Sequence, residues 1–174
     1  MSSVPPSFEY DYPAVYPRGM NDYGAVLGAM AALASFEEIM LSPKPGLVCP
    51  DSSGSHSDMD WVTFLLGASA LTPFWRIQAM DGLHLGYYYK PLGQIAERLR
   101  ETGLEMERAM YEATGGVNTH KGLIFAMSLL LGAFGVVAGH KNIGMEALTS
   151  WDIFRTAVRM IAPRVEREIG RAHV

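Results

Sequence analysis

The sequence predicts an all-α fold, a compact multi-helix bundle around a buried central helix. Apolar residues recur at the spacing of amphipathic helices in several segments, and no segment shows the strict alternation of a half-buried strand. Hydrophobic residues make up 49% of the 174 residues and charged residues only 18%, a balance typical of a packed domain. A chain of this length most simply forms one domain.

The first twenty residues differ in composition from the rest. Residues 1–20 contain four prolines among several tyrosines, so we expect a weakly ordered arm. The helical domain then occupies residues 21–174. Its first helix begins at Asn21 or Asp22, either of which can cap it. It runs to about Met40, because two prolines follow shortly afterwards.

Proline and glycine positions set the expected bounds of the next two helices. Asp58 is a suitable N-cap for the second helix, which we expect to be disturbed at Pro73. Residues 78–90 contain two glycines and three consecutive tyrosines and are predicted to form a loop. Pro91 suits the first position of the third helix. The apolar face predicted for the second helix consists of Trp61, Phe64, Leu65, Ala68 and Leu71.

A long uncharged stretch predicts the central helix. Residues 122–139 contain no charged side chain and are just long enough to span a membrane. The alternatives are such a span and a helix buried on all sides of a soluble bundle. Because the stretch is minimal and stands alone, we favour the buried helix, in which Gly132, Gly135 and Gly139 predict close packing. The fourth helix is accordingly predicted from about Thr119 to Ala138, and the fifth from Ser150 or Trp151 to Pro163.

Charge and cysteine content argue against several classes of protein. The formal net charge is −4, which disfavours broad binding to nucleic acid or anionic membranes, since both need a basic face. Cys49 is the only cysteine, so an internal disulfide and a cysteine-based zinc site are excluded, and a reducing compartment is favoured. No apolar signal segment precedes Arg18. We therefore expect a cytoplasmic protein.

Residues 114–121 combine the features of an anion-binding turn. They include a Gly-Gly pair, an amide, a hydroxyl, an imidazole and an ammonium group directly before an uncharged helix. The positive end of the helix dipole and the free N–H groups of the first turn favour a phosphate there. The spacing is not that of a Walker A loop. The alternative is an ordinary turn in which Asn118 or Thr119 caps the helix. The candidates are Gly115, Gly116, Asn118, Thr119, His120 and Lys121.

A second turn, between the first two helices, suits a phosphate together with a metal ion. Lys44 stands between two prolines and shortly before Gly46, which would hold a cation on a stiff backbone. The alternative is an ordinary surface lysine. In an extended stretch His56, Asp58 and Asp60 would share one face, and two carboxylates with substrate phosphates are a common Mg²⁺ arrangement. The alternative is that the aspartates cap the second helix and complement its dipole.

Two glutamates outside these turns are further candidates. Glu38 lies at the end of the first helix, where the helix dipole disfavours an acid, which hints at a role other than helix stability. On the third helix, Arg100, Gly103 and Glu107 share one face with Thr114. A glycine inside a helix costs about 1 kcal/mol relative to alanine, so we expect something to pack closely against Gly103. The alternative is a solvated stripe beside the core.

Together these motifs resemble the triphosphoribosyl-dephospho-CoA synthase family. The resemblance rests on Ser42-Pro-Lys-Pro-Gly-Leu-Val48, on Gly54-Ser-His-Ser-Asp-Met59, and on the run from Leu99 through the Gly-Gly turn to Gly122. It implies an all-helical fold and transfer of the triphosphoribosyl group of ATP to the 2′-hydroxyl of 3′-dephospho-CoA, with release of adenine. In this family the product is the prosthetic-group precursor for the acyl carrier proteins of citrate lyase and malonate decarboxylase.

The resemblance also implies roles for the candidates. Substitution at an N-glycosidic bond needs a grip on the triphosphate, negative charge near the sugar C1″ atom, and a proton carrier between hydroxyl and adenine. By motif position, the resemblance implies that Asp58 and Asp60 bind Mg²⁺ and that Glu38 or Glu107 acts near C1″ or on the attacking hydroxyl. His56 and His120 are candidates for proton transfer or for hydrogen bonds to phosphate. The residues implied to bind the triphosphate are Lys44, Gly46, Arg100, Gly115, Gly116, Asn118, Thr119 and Lys121.

Two departures from the family pattern bear on function. Cys49 and Pro50 stand where the family usually has an acidic residue, and family members continue beyond a helix like residues 151–170 into a further helical section. We therefore expect a chain that resembles the N-terminal part of the family. Uncovered apolar faces on such a chain would favour a homo-oligomer. The alternative function is a non-catalytic helical module that binds a nucleotide or phosphate.

Overall fold

The computed structural model describes residues 20–141 and 148–172, and within those ranges it contains five helices and no strand. The helices are α1 (Met20–Met40), α2 (Trp61–Tyr87), α3 (Leu92–Ala113), α4 (Lys121–Lys141) and α5 (Ser150–Ala172). The predicted all-α class is confirmed. The arm predicted over residues 1–20 falls outside the described residues, apart from Met20 at the start of α1.

Helices α2 and α4 form a closely packed parallel pair at the centre of the bundle. A Cβ on Gly82 of α2 would lie 2.7 Å from the Cα of Gly132 in α4, and one on Gly135 would lie 2.6 Å from the carbonyl oxygen of Ala79. Only glycine permits two helix backbones to approach this closely. Because α4 also packs against α3 and α5, it is the central helix that residues 122–139 predict.

Helix α2 is longer than the sequence predicts. It continues through Pro73 to Tyr87, so the predicted disturbance at Pro73 does not end it, and most of the predicted loop over residues 78–90 is helix. A proline inside a helix costs about 3 kcal/mol, but burial of a continuous apolar face opposes that cost. Leu71 and Trp75, on either side of the proline, are both fully buried. Packing against α1, α3 and α4 therefore outweighs local propensity.

The start of α2 also differs from the prediction. Its N-cap is Asp60 and not Asp58. Asp60 Oδ1 accepts hydrogen bonds from the N–H and the hydroxyl of Thr63, both at 2.8 Å. Thr63 can complete this reciprocal capping box, whereas the residue three positions after Asp58 is Trp61, which has no acceptor to offer. Trp61, predicted to be buried, lies in the first turn of the helix and is exposed.

Helix α5 begins at Ser150 as predicted and ends later than predicted. Thr149 precedes it, and its hydroxyl accepts a hydrogen bond from the Asp152 N–H at 3.2 Å. The helix continues past Pro163, the expected end, to Ala172. Pro163 is exposed, so water can hydrate the backbone carbonyl that the proline leaves without its helical partner. The helix therefore tolerates the proline.

Helix α1 lies antiparallel to α2. Two glycines of α1 show the direction, because a Cβ on Gly24 would meet the Met80 side chain while one on Gly28 would meet the backbone of Arg76. Residues with higher numbers in α1 thus face residues with lower numbers in α2. The C-terminal end of α1 therefore lies beside the N-terminal end of α2.

Helix α3 is also antiparallel to α2. Arg98 near the start of α3 donates to Asp81 near the end of α2 at 3.1 Å, whereas Thr114, after the end of α3, lies beside Gly67 near the start of α2. The C-terminal ends of α1 and α3 and the N-terminal ends of α2 and α4 therefore meet at one end of the bundle. Both turns singled out in the sequence lie there.

Within residues 20–141 and 148–172, two helices are long and apolar enough to cross a membrane, judged by length and composition alone. They are Tyr23–Met40 in α1 and Lys121–His140 in α4, of which 33% and 56% are buried inside the protein. The sequence suggested that the apolar stretch of α4 stands alone, and this is wrong, because α1 is a second such helix. Core helices of soluble proteins share these properties, so the finding is weak evidence for a membrane span.

Candidate functional site

Most of the candidate residues lie where α1 and α3 end and α2 and α4 begin, which we call the four-terminus end. Two turns form it: residues 41–60 between α1 and α2, and residues 114–120 between α3 and α4. The chain directions described above bring these turns together. The candidates found there are Glu38, Lys44, Gly46, His56, Asp58, Asp60, Glu107, Gly115, Gly116, Asn118, Thr119, His120 and Lys121.

The turn before α4 depends on its two consecutive glycines. Gly115 and Gly116 have φ angles of +67° and +95°, which residues with a side chain rarely adopt. The Gly116 N–H donates to the carbonyl of Tyr111 at 2.7 Å and so closes the C-terminal end of α3. The glycine pair therefore shapes the chain reversal that leads into α4.

Other N–H groups of this turn are also used within the protein. The Val117 N–H donates to the Thr114 hydroxyl and the Lys121 N–H to Asn118 Oδ1, both at 3.1 Å. Asn118 thus caps α4, which is the alternative that the sequence left open for it. A phosphate at this turn would rely on the Lys121 ammonium group and nearby polar side chains more than on a cradle of backbone N–H groups.

His120 is buried at the four-terminus end, with only 4% of its surface exposed. Its Nδ1 lies 2.8 Å from the Thr119 hydroxyl, and its ring makes an edge contact with Phe64. Among the described residues, no hydrogen-bond partner reaches its buried Nε2. Burial lowers the pKa of His120 to about 4, while nearby Glu38 opposes this shift and Lys44 adds to it. At neutral pH the side chain is therefore uncharged.

Gly67 of α2 makes room for this arrangement and was not predicted from the sequence. A Cβ on Gly67 would lie 3.0 Å from His120 Nδ1 and 3.4 Å from a methyl carbon of Thr114, and it would overlap the Thr119 hydroxyl. A glycine within the apolar run of α2 is the signal that could have identified it, since such a glycine often marks a close approach.

Lys44 and Glu38 form an ion pair that holds the turn between α1 and α2, called the first turn below, against the C-terminal end of α1. Lys44 Nζ lies 2.9 Å from Glu38 Oε1 and donates to the Glu38 backbone carbonyl at 2.7 Å. The Lys44 side chain is only 11% exposed, against 51% for Glu38, so the surface-lysine alternative is wrong. The ammonium group binds a C-terminal carbonyl of α1 and offsets its dipole. This pairing explains how α1 accommodates an acid at its end.

The first turn closes through Gly46. The carbonyl of Gly46 accepts hydrogen bonds from the N–H and the hydroxyl of Ser55, both at 3.2 Å. Gly46 and Gly54 have φ angles of +75° and +59°, and a Cβ on Gly54 would lie 2.6 Å from the carbonyl carbon of Gly46. Gly46 therefore brings the segment that carries His56 back toward Lys44 through backbone contacts.

The three residues predicted to bind a metal ion do not act as one set. His56 Nδ1 lies 3.8 Å from Asp58 Oδ1, and both side chains are exposed. Asp60 instead accepts hydrogen bonds from the N–H and hydroxyl of Thr63, which lower the pKa of Asp60. Within residues 20–141 and 148–172, no three His, Cys, Asp or Glu side chains form a group that could hold a metal ion.

Lys121 and Glu107 link the start of α4 to α3. Lys121 Nζ lies 3.1 Å from Glu107 Oε2. This hydrogen bond and the charge of Glu107 raise the pKa of Lys121. The lysine side chain is well exposed and the glutamate is mostly buried, so the ammonium group can contact a ligand from solvent while the carboxylate orients it.

A cavity of about 460 Å³ lies between α3, α4 and α5, beside this ion pair. Glu107 contributes to its wall, and most of the other lining side chains are apolar. Ser128 lines the cavity and is only 6% exposed, and its hydroxyl has no hydrogen-bond partner in the described part of the chain. Phe125 also lines it and is exposed. Neither residue was predicted, because both lie in the uncharged stretch interpreted as core.

Arg100 and Gly103 lie on the α3 wall of this cavity, away from the turn before α4. Arg100 donates to Glu97 from Nε at 3.0 Å and from Nη2 at 2.8 Å. A Cβ on Gly103 would meet only a methyl carbon of Ile124 at 3.7 Å, an ordinary van der Waals contact. The close packing predicted against Gly103 is therefore wrong, and the missing side chain widens the cavity.

Comparison with known proteins gives a family match over most of the chain. A family model described as CitG, ATP:dephospho-CoA triphosphoribosyl transferase, matches residues 25–174. A probable 2-(5''-triphosphoribosyl)-3'-dephosphocoenzyme-A synthase from Streptococcus equi subsp. equi (strain 4047) is 47% identical over 112 residues, 63% of this chain and 37% of the relative. One from Vibrio cholerae serotype O1 (strain M66-2) is 41% identical over 110 residues, 63% of this chain and 34% of the relative.

A longer match involves Protein CitXG from Haemophilus influenzae, which is 38% identical over 128 residues, 74% of this chain and 27% of the relative. The matched part of the chain thus spans only 27% to 37% of the length of these three relatives. No solved structure matches the chain. The family match includes every candidate residue of the four-terminus end.

Proposed function

Because the chain belongs to the ATP:dephospho-CoA triphosphoribosyl transferase family, we propose that it transfers the triphosphoribosyl group of ATP to the 2′-hydroxyl of 3′-dephospho-CoA. The bond from the acceptor oxygen to C1″ of the ribose forms while the bond from C1″ to adenine breaks. The hydroxyl proton is lost, and adenine leaves with a proton. The product would be the prosthetic-group precursor for an acyl carrier protein, as in citrate lyase or malonate decarboxylase.

The convergence of both family motifs at the four-terminus end supports this proposal most strongly. Lys44 and Lys121 come from different turns, yet Lys44 lies close enough to His120 to lower its pKa, and Lys121 is the next residue along the chain. The exposed Lys121 ammonium group can contact a triphosphate, and the Lys44 ammonium group, which is mostly buried and paired with Glu38, adds positive charge at the same end of the bundle. The N-terminal ends of α2 and α4 add positive potential at the same place.

Glu107 is the better placed of the two candidate carboxylates to act near C1″. It lies 3.1 Å from Lys121 Nζ, so a triphosphate bound to Lys121 would bring its ribose close to Glu107. A carboxylate beside an oxocarbenium-like centre stabilises the developing positive charge. Glu38 is held by Lys44, and we assign it to positioning the first turn.

We assign proton transfer to His56 and not to His120. With a pKa of about 4, buried His120 carries no proton that it could give to adenine at neutral pH. It is instead suited to orienting the turn before α4 through Thr119. His56 is exposed and lies 3.8 Å from Asp58, so a bound substrate can come within hydrogen-bond reach of its imidazole.

Mg²⁺ fits this proposal through Asp58 alone. The exposed Asp58 carboxylate offers the hard oxygen ligand that Mg²⁺ prefers, and substrate phosphates and water commonly supply the other positions. Asp60 does not fit, because its carboxylate caps α2. When bound, the ion would neutralise part of the triphosphate charge.

The proposed setting follows from composition and exposure. We place the reaction in the cytoplasm, with small-molecule substrates and without nucleic-acid or membrane partners. We also propose a homo-oligomer, because large apolar side chains stay exposed, with Met30 and Leu33 on α1 and Trp151 and Val158 on α5.

Adenine release tests the proposed reaction. The purified chain is incubated with ATP, dephospho-CoA and Mg²⁺, and free adenine is measured by chromatography. We expect release that requires both substrates and is lost in Glu107→Gln. The matched control is Glu105→Gln, which removes a carboxylate on the same helix outside the ion pair and the cavity. Unchanged release in Glu107→Gln would remove this residue from the mechanism, and no release at all would contradict catalysis by this chain.

A non-catalytic nucleotide-binding module is the second candidate. It is favoured by one observation, that Asn118 and Asp60, two of the candidate ligand residues, cap α4 and α2 and are thus used by the fold itself. ATP binding by such a module would raise the melting temperature without release of adenine. The two measurements on one preparation therefore separate the two candidates.

A further inference from the structure

The cavity between α3, α4 and α5 contains a polar group that the protein leaves without a partner. Ser128 lines the cavity, and the residue is only 6% exposed. Among the described residues, no hydrogen-bond partner reaches its hydroxyl. Native proteins satisfy most buried polar side chains, so an orphaned hydroxyl on a cavity wall indicates a ligand that can bond to it.

The cavity borders the proposed phosphate site. Glu107 belongs to both, because it lines the cavity and lies 3.1 Å from Lys121 Nζ. Lys121 and Ser128 stand two helical turns apart on α4, a distance of about 10 Å along the axis. A ligand whose anionic end contacts Lys121 can therefore place its other end beside Ser128.

The walls suit a flat and uncharged group. Phe125 presents an exposed aromatic ring at the cavity, and buried Ile124 and Leu99 supply aliphatic surface. The nearby Arg100 is already paired with Glu97, so its charge is largely neutralised. Glu107 and Arg164 are the other charged lining residues, and apart from Ser128 the rest of the wall is apolar. A mostly apolar wall with one hydroxyl that has no partner among the described residues favours a heteroaromatic ring, which can stack on Phe125 and bond to Ser128.

We propose that this cavity binds the adenine end of a nucleotide whose phosphates contact Lys121. The inference rests on the proposed function, from which it takes the position of the phosphates. The Ser128 hydroxyl would bond to a polar atom of the base, and the Phe125 ring would stack on its face. ATP and dephospho-CoA both carry adenosine, which is the shared ligand chemistry.

Calorimetric titration of the full chain with adenosine, tripolyphosphate, ATP and dephospho-CoA tests the inference. We expect adenosine to bind, and Phe125→Ala to weaken its binding at least about fivefold, the usual effect of losing a stacking partner. Ser128→Ala should weaken it as well. Tripolyphosphate affinity should not change in either variant. The matched control is Phe154→Ala, which removes an exposed phenyl ring of α5 outside the cavity and should leave every affinity unchanged.

The outcomes separate this inference from the proposed function. If tripolyphosphate fails to bind while adenosine binds with the expected variant effects, the cavity assignment stands and the phosphate site is wrong. If tripolyphosphate and ATP bind equally well and adenosine does not bind, the phosphate site stands and the cavity assignment is overturned. Whichever of ATP and dephospho-CoA loses affinity in Phe125→Ala is the source of the bound base.

A polypeptide is the competing occupant of the cavity. Analytical ultracentrifugation of the wild-type protein and of Phe125→Ala measures self-association directly. If Phe125→Ala dissociates an oligomer and leaves adenosine affinity unchanged, a second copy covers the cavity and the inference is overturned. If the oligomeric state is unchanged and adenosine affinity falls, the inference is supported.

Discussion

Gly67 of α2 lies directly against His120, so that a Cβ on the glycine would come within 3.0 Å of the imidazole Nδ1. The same Cβ would overlap the hydroxyl of Thr119. Both neighbours belong to short or buried side chains whose backbone is fixed by the start of α4, so neither can swing away freely. The packing of α2 and the geometry of the turn before α4 therefore depend on one contact.

Gly67→Ala should destabilise the protein by about 1–3 kcal/mol, the usual cost of forcing a methyl group into a well-packed site. Urea denaturation at neutral pH measures the change in the free energy of unfolding. Gly93→Ala is the matched control, because nothing lies within 4 Å of its added Cβ and the change should raise stability by up to about 1 kcal/mol. Equal stability of the two variants would show that the turn moves aside without cost.

The buried imidazole of His120 should make stability depend on pH. Burial lowers its pKa from 6.5 to about 4. Below pH 6.5 the imidazole therefore binds a proton in the unfolded chain, while in the folded protein it stays neutral until the pH approaches 4. The free energy of unfolding should therefore fall as the pH drops from 6.5 to about 4 and level off below. The loss is at most about 3 kcal/mol. Urea denaturation at several pH values measures it.

A His120→Asn variant isolates this effect from other groups. Burial also lowers the pKa of His84 and His140, so these residues contribute in the same direction in both proteins. The difference between wild type and His120→Asn should therefore shrink between pH 6.5 and 4. A difference that stays constant over this range would mean that His120 keeps an ordinary pKa in the folded protein.

Local patterns in the sequence were sufficient to predict the helices but not all of their ends. The start of α2 was open to prediction, because Thr63 stands three residues after Asp60 and completes a capping box, whereas Trp61 after Asp58 cannot. The continuation of α2 through Pro73 could not be predicted from the sequence, because it depends on burial against three other helices. Local propensity opposes that outcome.

Some residues of the candidate site could be predicted from the sequence, and others are revealed only by the fold. The turn before α4 was identified from its glycines and Lys121, whose chemistry is visible in consecutive residues. The burial of Lys44 against the end of α1 arises only when the first turn folds back. Ser128 lies in an uncharged stretch where a lone serine gives no signal, and only the packing of α3 and α5 creates the cavity that it lines.

Glu107→Gln should have opposite effects on binding and on catalysis. Removal of the carboxylate frees the Lys121 ammonium and takes away a negative charge beside the bound anion, so tripolyphosphate affinity should rise about threefold to tenfold. Adenine release should fall at least about 100-fold if this carboxylate stabilises the developing charge at C1″. Calorimetry and the adenine assay give the two values. A parallel fall in both would indicate a merely structural role.

Lys121→Ala tests the other half of this pair. Loss of a charged hydrogen-bond donor should weaken tripolyphosphate binding by about tenfold or more. Lys90→Ala is the matched control, because it removes the same charge after the opposite end of α2 and should leave the affinity unchanged. Similar losses in both variants would point to general attraction by positive charge, and the binding would then have no fixed site.

Lys44→Met should cost more stability than Glu38→Gln, although both substitutions break the same ion pair. The lysine ammonium is mostly buried and also donates to the Glu38 backbone carbonyl at 2.7 Å, a charged bond whose loss costs about 1.5–3 kcal/mol. Glu38→Gln removes only the half-exposed partner, a loss of less than about 1 kcal/mol. Urea denaturation of both variants compares the two. Equal losses would mean that the ion pair, and not the hydrogen bond to the Glu38 carbonyl, holds the turn between α1 and α2. A substrate that displaces Lys44 would then release this turn and free Glu38 to act beside Glu107.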